Sequence, residues 1–200
     1  MSKIKLKHSS GNSMSIGAPA TNPASDLELK LPATVGSAGQ VLQNSSTAGT
    51  LEFGNAGKIL QVVHGMHSNE VSTTSSSYVD TGLSQAITPL KTGSSMFVLI
   101  HQHVYCYRHD DGQGFALRLV QDSTARYTPA HTYEHYVSSD TAELSHRQRW
   151  SLTSFHSHDI SAGTSTTYKV QMHLHQTSDN GNLIAQQGSS TSMITIMEVG

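Results

Sequence analysis

The sequence has one cysteine, Cys106, and few groups that charge a surface: Asp, Glu, Lys and Arg make up 13% of its 200 residues. A lone thiol excludes an intrachain disulfide framework. The charged share is about half the usual one, and the formal net charge is −2 with all thirteen histidines neutral. No basic field is present to hold a polyphosphate backbone, which argues against nucleic-acid binding. No stretch reaches the roughly eighteen apolar residues of a membrane span. The start, Met1-Ser2-Lys3-Ile4-Lys5-Leu6-Lys7, lacks the apolar run of a secretory signal. The expectation is synthesis in a cytoplasm and no membrane insertion.

Aromatic residues are also scarce, at 6%, and unevenly placed. Phe53 is the only one in residues 1–57, whereas six of the seven tyrosines lie in 78–136 and the single tryptophan is Trp150. The N-terminal part therefore has little with which to build a core. What it has is alternation: Leu27, Leu29 and Leu31 point one way, Asp26, Glu28 and Lys30 the other, the period of a half-buried strand. Short extended pieces at 40–43 and 50–53 follow, and Ile4, Leu6, Met14 and Ile16 repeat the pattern in miniature. Ordering about fifty residues costs roughly 1–2 kcal/mol each, more than this apolar surface offsets in a monomer. The segment calls for copies of itself or a larger assembly, with Leu27, Leu29 and Leu31 as assembly residues.

Ser and Thr number fifty, a quarter of the chain, which favours strands over helices. With a boundary at Asn55–Gly57, residues 1–57 form an extended N-terminal segment and 58–200 the main domain. Strands are expected at 58–64, 70–79, 83–88, 95–108, 115–121, 132–137, 147–156, 167–176, 183–186 and 192–199. Gly82, Pro89, Gly93, Asp110-Asp111-Gly112, Pro129, Gly163 and Asn180-Gly181 mark the turns. That spacing indicates an all-β sandwich or jelly roll. In 96–107, Met96, Val98, Ile100 and Val104 share one face and Phe97, Leu99, Tyr105 and Tyr107 the other, so both faces are expected to be buried near its start. In 169–175, Lys169, Gln171, His173 and His175 oppose Val170, Met172 and Leu174, giving one wet or intersubunit face.

The string ATNPASDLELKLPATVGSAGQVLQNSSTAGTLEFG at 20–54 resembles the N-terminal fibre segment of virion structural proteins of marine tailed bacteriophages, cyanophages included. SSSYVDTGLSQAITP at 75–89, TTYKVQ and the terminal TSMITIMEVG resemble the β-domain that follows it. The resemblance covers most of the chain. It implies a homotrimer with a jelly-roll head, acting in the virion as a short fibre or capsid decoration protein that contacts other capsid or tail proteins. The alternative is a receptor-binding adhesin that recognises a host-surface glycan or protein.

Three His-x-His triplets stand out: His101/His103, His156/His158 and His173/His175. On a strand, residues i and i+2 share a face, so a pair can offer two imidazoles to one ion. Three such chains around an axis would supply six nitrogens to a divalent transition metal, with His173 and His175, then His101 and His103, as candidate ligands. The competing reading is of polar strand residues at solvent or a contact, and a third is a pH response. Catalysis finds no support, since there is no G-x-S-x-G, H-E-x-x-H or phosphate-binding glycine loop. Tyr127, Tyr133 and Arg126, with Tyr105, Tyr107, Tyr136 and Arg108 nearby in sequence, are candidates for a sugar- or protein-binding surface, unless they line the core.

Overall fold

The computed structural model describes residues 3–7, 9–17, 20–21, 23–25, 27–55, 58–108, 113–131, 133–137, 144–175 and 180–200. The chain divides into two compact units, Met1–Ala56 and Gly57–Gly200.

In the first unit, β1 (Lys3–Lys7) pairs antiparallel with β2 (Ser13–Gly17), and β3 (Gln40–Asn44) with β4 (Leu51–Asn55). The strand expected around Leu29 does not form. Residues 27–31 make one parallel bridge, Lys30 to Thr50, in which the Lys30 N–H donates to Gly49 and the Leu51 N–H to Lys30, both at 2.8 Å. Leu27, Leu29 and Leu31 are 78%, 62% and 73% exposed. The physical reason is a missing partner: no described side chain of this unit is fully buried, so the alternating leucines have no apolar face to meet. Phe53 packs on Gly36, where a Cβ would lie 2.5 Å from the ring.

The second unit is built from β5 (Ile59–His67), β6 (Val71–Thr73), β7 (Val79–Ile87), β8 (Ser95–Arg108), β9 (Gln113–Gln121), β10 (Thr124–Tyr127), β11 (His135–Val137), β12 (Leu144–Ser157), β13 (Thr166–Leu174), β14 (Asn182–Ala185) and β15 (Ser192–Val199). All their pairings are antiparallel. One sheet is organised on β8, with β12 along one edge for its whole length and β15, then β14, along the other; β5 flanks β15 and β6 flanks β14. The second sheet runs β10–β9–β13–β7, with β11 also on β9. From β6 to β9 and again from β11 to β14 the chain crosses between sheets at each step, which makes a jelly-roll-like sandwich.

Alternation fills the space between the sheets. Met96, Val98, Ile100, Val104 and Cys106 of β8 meet Phe115, Leu117 and Leu119 of β9 and Tyr168, Val170, Met172 and Leu174 of β13. The other face of β8 departs from the expectation of burial on both sides: Phe97, Leu99, Tyr105 and Tyr107 are only half-buried and His101 is exposed. The expected strand at 70–79 is interrupted after Thr73 because serine side chains capture the backbone, Thr73 Oγ1 accepting from Ser75 N–H at 3.1 Å and Ser75 Oγ from Ser77 N–H at 2.9 Å. Gly82, expected as a turn, lies inside β7 as a bulge with φ +84°, three β7 residues opposing one of β13. The His67 imidazole occupies the space of its absent Cβ. The hairpin strand β10 had no pattern to announce it; it follows a tight turn at Asp122, φ 51°.

One buried carboxylate closes the sandwich at the end of β15. Glu198 is fully buried and accepts from Leu90 N–H at 2.9 Å, Lys91 N–H at 2.9 Å, Gln61 Nε2 at 2.7 Å and Ser94 Oγ at 2.6 Å. His158 Nε2 lies 2.9 Å from Ser94 Oγ and its Nδ1 accepts from Ile160 N–H at 3.2 Å. The acid here touches the serine and not the histidine, so the order of a nucleophile–base–acid relay is reversed and the group acts as a clamp on residues 88–94. Burial alone raises the Glu198 carboxyl, but the donors from Leu90, Ser94, Gln61 and Lys91 outweigh it and hold it below the ordinary value of 4.5. Its contribution to stability is therefore complete above pH 4.5 and is lost as pH falls through the lowered value. Glu198→Ala, which strands several buried donors, should lower unfolding stability by about 3 kcal/mol or more in urea melts at pH 7; Glu198→Gln should cost less, and its deficit should shrink toward pH 3.

Candidate functional site

The chemistry-bearing side chains gather around β9, β11, β12 and the end of β13. The short β11 is pinned through His135–Phe115 pairing and Glu134 N–H donating to Phe115 at 3.0 Å. That places Tyr133, Glu134, His135 and Tyr136 in one short stretch. Tyr133 packs at a tilt against Tyr136 at 5.0 Å between centroids and against His175 at 4.5 Å, forming a partly exposed platform of three rings. Glu134 turns the other way and accepts from Trp150 Nε1 at 2.8 Å and from the Tyr127 hydroxyl. The hydrogen bond to Glu134, with burial, pushes the Tyr127 phenol up to about 12, so it is a neutral donor at any working pH.

His135 faces His146 of β12 at 4.9 Å, and both rings lie on Phe115, at 5.3 and 6.0 Å. Gln148 Nε2 donates to His135 Nε2 at 2.7 Å, whereas both ring nitrogens of His146 are buried without a partner. On the outside of the same sheet, Arg118 sits 4.1 Å over the Tyr78 ring, which meets His173 edge-on at 4.4 Å. Arg118 Nε donates to Gln171 Oε1 at 2.7 Å, and Asp80 takes Gln171 Nε2 and Lys169 Nζ at 2.5 and 3.0 Å. This outer face is closed by its own charged network.

The residues expected as a ligand surface fall into two places. Tyr133 is on the platform, and Tyr127 is linked to it through Glu134. Arg126 is held elsewhere, its Nε donating to Gln121 Oε1 at 2.7 Å with Asp159 at 3.9 Å. Tyr136 and His175 complete the platform; the alternation of 169–175 puts His175 on a wet or intersubunit face, and no sequence pattern joins it to Tyr133.

The His-x-His pairs share faces but not sites. His173 is buried, donating Nδ1–H to Leu174 O at 2.9 Å, while His175 meets Tyr133 at a tilt and Tyr136 edge-on. His101 Nδ1 is paired with Ser151 Oγ at 2.9 Å, and His103 stands opposite Arg149. His156 Nε2 lies 2.9 Å from the Tyr168 hydroxyl, and His158 belongs to the Glu198 clamp. Within a single chain, no group of three or more His, Cys, Asp or Glu among the described residues could hold a metal ion.

These features define an all-β protein of jelly-roll-like architecture with a ring-and-histidine surface at one end of its second unit. No protein-family model matches the chain, and no curated sequence is similar to it. Among solved structures it is similar to Eiger TNF from S. frugiperda, at 11% identity and TM-score 0.35 over 70% of this chain and 93% of that one. It is also similar to infectious bursal disease virus, Gt strain, at 8% identity and TM-score 0.34, and to the VP2 subviral particle of that virus, at 9% and 0.32. Each of the latter covers 80% of this chain, which spans 43% of theirs. At these scores the similarity supports nothing about sites or partners; the architecture rests on the strand order given above.

Burial holds His156, His146, His135, His103 and His173 below the ordinary 6.5, His156 at about 4, with Arg126 and His158 adding to His156 and Arg149 and Arg147 to His103. The unfolded chain takes up these protons as pH falls through 6.5 while the folded one resists, so stability is complete above that value and declines from 6.5 toward 4. Urea midpoints should begin to fall at about pH 6.5, above the range in which carboxylates titrate. His146→Leu, which removes two unpaired buried nitrogens, should raise stability at pH 7 by on the order of 1 kcal/mol and flatten the slope.

Proposed function

We propose that this chain is a structural virion protein of a tailed phage, a short fibre or capsid decoration subunit anchored by its N-terminal unit and assembled as a trimer. The observation that carries the reading is the row Leu27, Leu29 and Leu31, exposed on a segment that makes one β-bridge and belongs to a unit in which no described side chain is fully buried. A segment of that kind gains its stability by packing against something else. The resemblance of residues 20–54 to phage fibre segments names what that is: copies of the chain and the particle. The Glu198–Ser94–His158 arrangement, with the acid on the serine, suits a fastening role.

A second reading has its own observation. The Tyr133–Tyr136–His175 platform offers apolar ring faces beside polar edges, the combination that suits a sugar or a peptide, and it favours a host-recognition role for the same protein.

Two measurements test these readings. Immunogold labelling of purified virions should place the protein on particles at regular positions, and Leu29→Asp should abolish incorporation while the second unit keeps its folded circular-dichroism signature; a protein confined to the soluble lysate would overturn the assignment. For host recognition, Tyr133→Ala with Tyr136→Ala should lower adsorption to host cells by about tenfold or more without altering particle yield. Unchanged adsorption would remove the recognition role.

A further inference from the structure

The outer face of the β8 sheet carries three rows in register across four strands. The first is Phe155, Phe97, Met197 and Val62; the second Thr153, Leu99, Thr195 and His64; the third Ser151, His101, Met193 and Met66. Phe155, Val62 and Met66 are 63%, 53% and 66% exposed, and Phe97 lies 6.4 Å from Phe155, extending the apolar row. No Asp, Glu, Lys or Arg occurs in these rows. Their two histidines are tied within the sheet, His64 Nδ1 to Thr195 Oγ1 and His101 Nδ1 to Ser151 Oγ, both at 2.9 Å. Charge begins beyond the rows, with Arg149 opposite His103 and Arg147 opposite Tyr105 past the third and Lys58, just before β5, past the first.

Three rows about 6.6 Å apart across four strands about 4.8 Å apart make a flat patch of about 400 Å². A patch of this size is within the range in which the largest patch of a monomer is often functional, and it is about half the roughly 800 Å² per partner of a standard interface, the scale of a small contact. The outer face of the opposite sheet is closed by Asp80, Lys169 and Arg118, so the lack of charge is particular to this face.

We infer that this face is the contact surface between copies of the chain, identical rows meeting around a symmetry axis. Charge selects the occupant. An uncharged row can approach its own copy without like-charge repulsion and without stranding a charge on either side, whereas a charged partner would bury an unpaired group. Met66, Met193 and Met197 give the rows side chains that adjust to one another. The inference deepens the virion reading by naming the surface on which the subunits close.

Light scattering on the full-length protein tests it. The wild type should assemble, at the mass of three chains by the reading above. Phe155→Glu and Met66→Glu should each weaken assembly by about 100-fold or more. Ser151→Arg, which removes no apolar packing and costs only the exposed His101 hydrogen bond, should do the same and covers the case in which a glutamate variant misfolds. Tyr136→Glu, outside the rows, should leave the mass unchanged. A monomeric wild type, or face variants that stay assembled, would overturn the inference. Assembly that survives the face variants would leave the virion reading standing, while particles without label would remove that reading and leave the interface intact.

Discussion

Everything in the second unit depends on the fourteen-residue strand Ser95–Arg108, because both of its edges are occupied and its two faces have different fates. Edge pairing by β12 on one side and by β15 and β14 on the other satisfies its backbone groups without recourse to water. With the backbone satisfied, the side chains decide the packing. Even-numbered residues from Met96 to Cys106 enter the core; odd-numbered ones form an outer face that a single chain leaves half covered. A one-residue slip would exchange the two sets, so the register that builds the core also defines the outer rows.

Polar groups in the interior are handled in two ways. Where a group must stay charged, as Glu198 does, it is given four donors and serves as a fastener between β15 and the turn before β8. Where a group can stay neutral the provision varies: Gln102 donates to Ser192 Oγ at 3.0 Å and His103 O at 3.1 Å and accepts from Thr81 Oγ1 at 3.1 Å, whereas His146 has no partner for its ring nitrogens. Histidine suits the second treatment because its neutral form is available at working pH. His103, His135, His146, His156 and His173, each held below the ordinary value by burial, thus serve as polar residues that do not charge the sheets.

Much of the fold was legible because period-two alternation is a local signal. Ser95–Arg108 and Ser192–Val199 have in the structure the ends that their patterns suggest, and the break between composition types falls at the division between units. Local signals fail where a tertiary partner decides. Gly82 reads as a turn, but the three-against-one pairing with β13 makes it a bulge. The leucines at 27–31 read as a strand, but no buried apolar face among the described residues of the unit accepts them. The site was less legible still. Tyr133 and Tyr136 are close in sequence and were both in view, yet His175 joins them only because β13 ends beside β11, and Arg126 leaves them because a bulge after Ala125 turns it toward Gln121. Pairing across distant strands has no trace in a single sequence.

The two units share one deficit. In the first it takes the form of exposed leucines on a barely bonded segment, in the second of exposed Phe155, Val62 and Met66 on a well-formed sheet. The consequences differ. A sheet held by a complete hydrogen-bond ladder keeps its shape whether or not its outer face is covered, so association there adds stability to a fold that already exists. A segment with a single bridge gains order and burial in the same event, and the ordering cost reduces the net gain per area buried. Rigid rows are therefore suited to setting the symmetry of an assembly, and the extended segment to fastening it to a surface that is already formed.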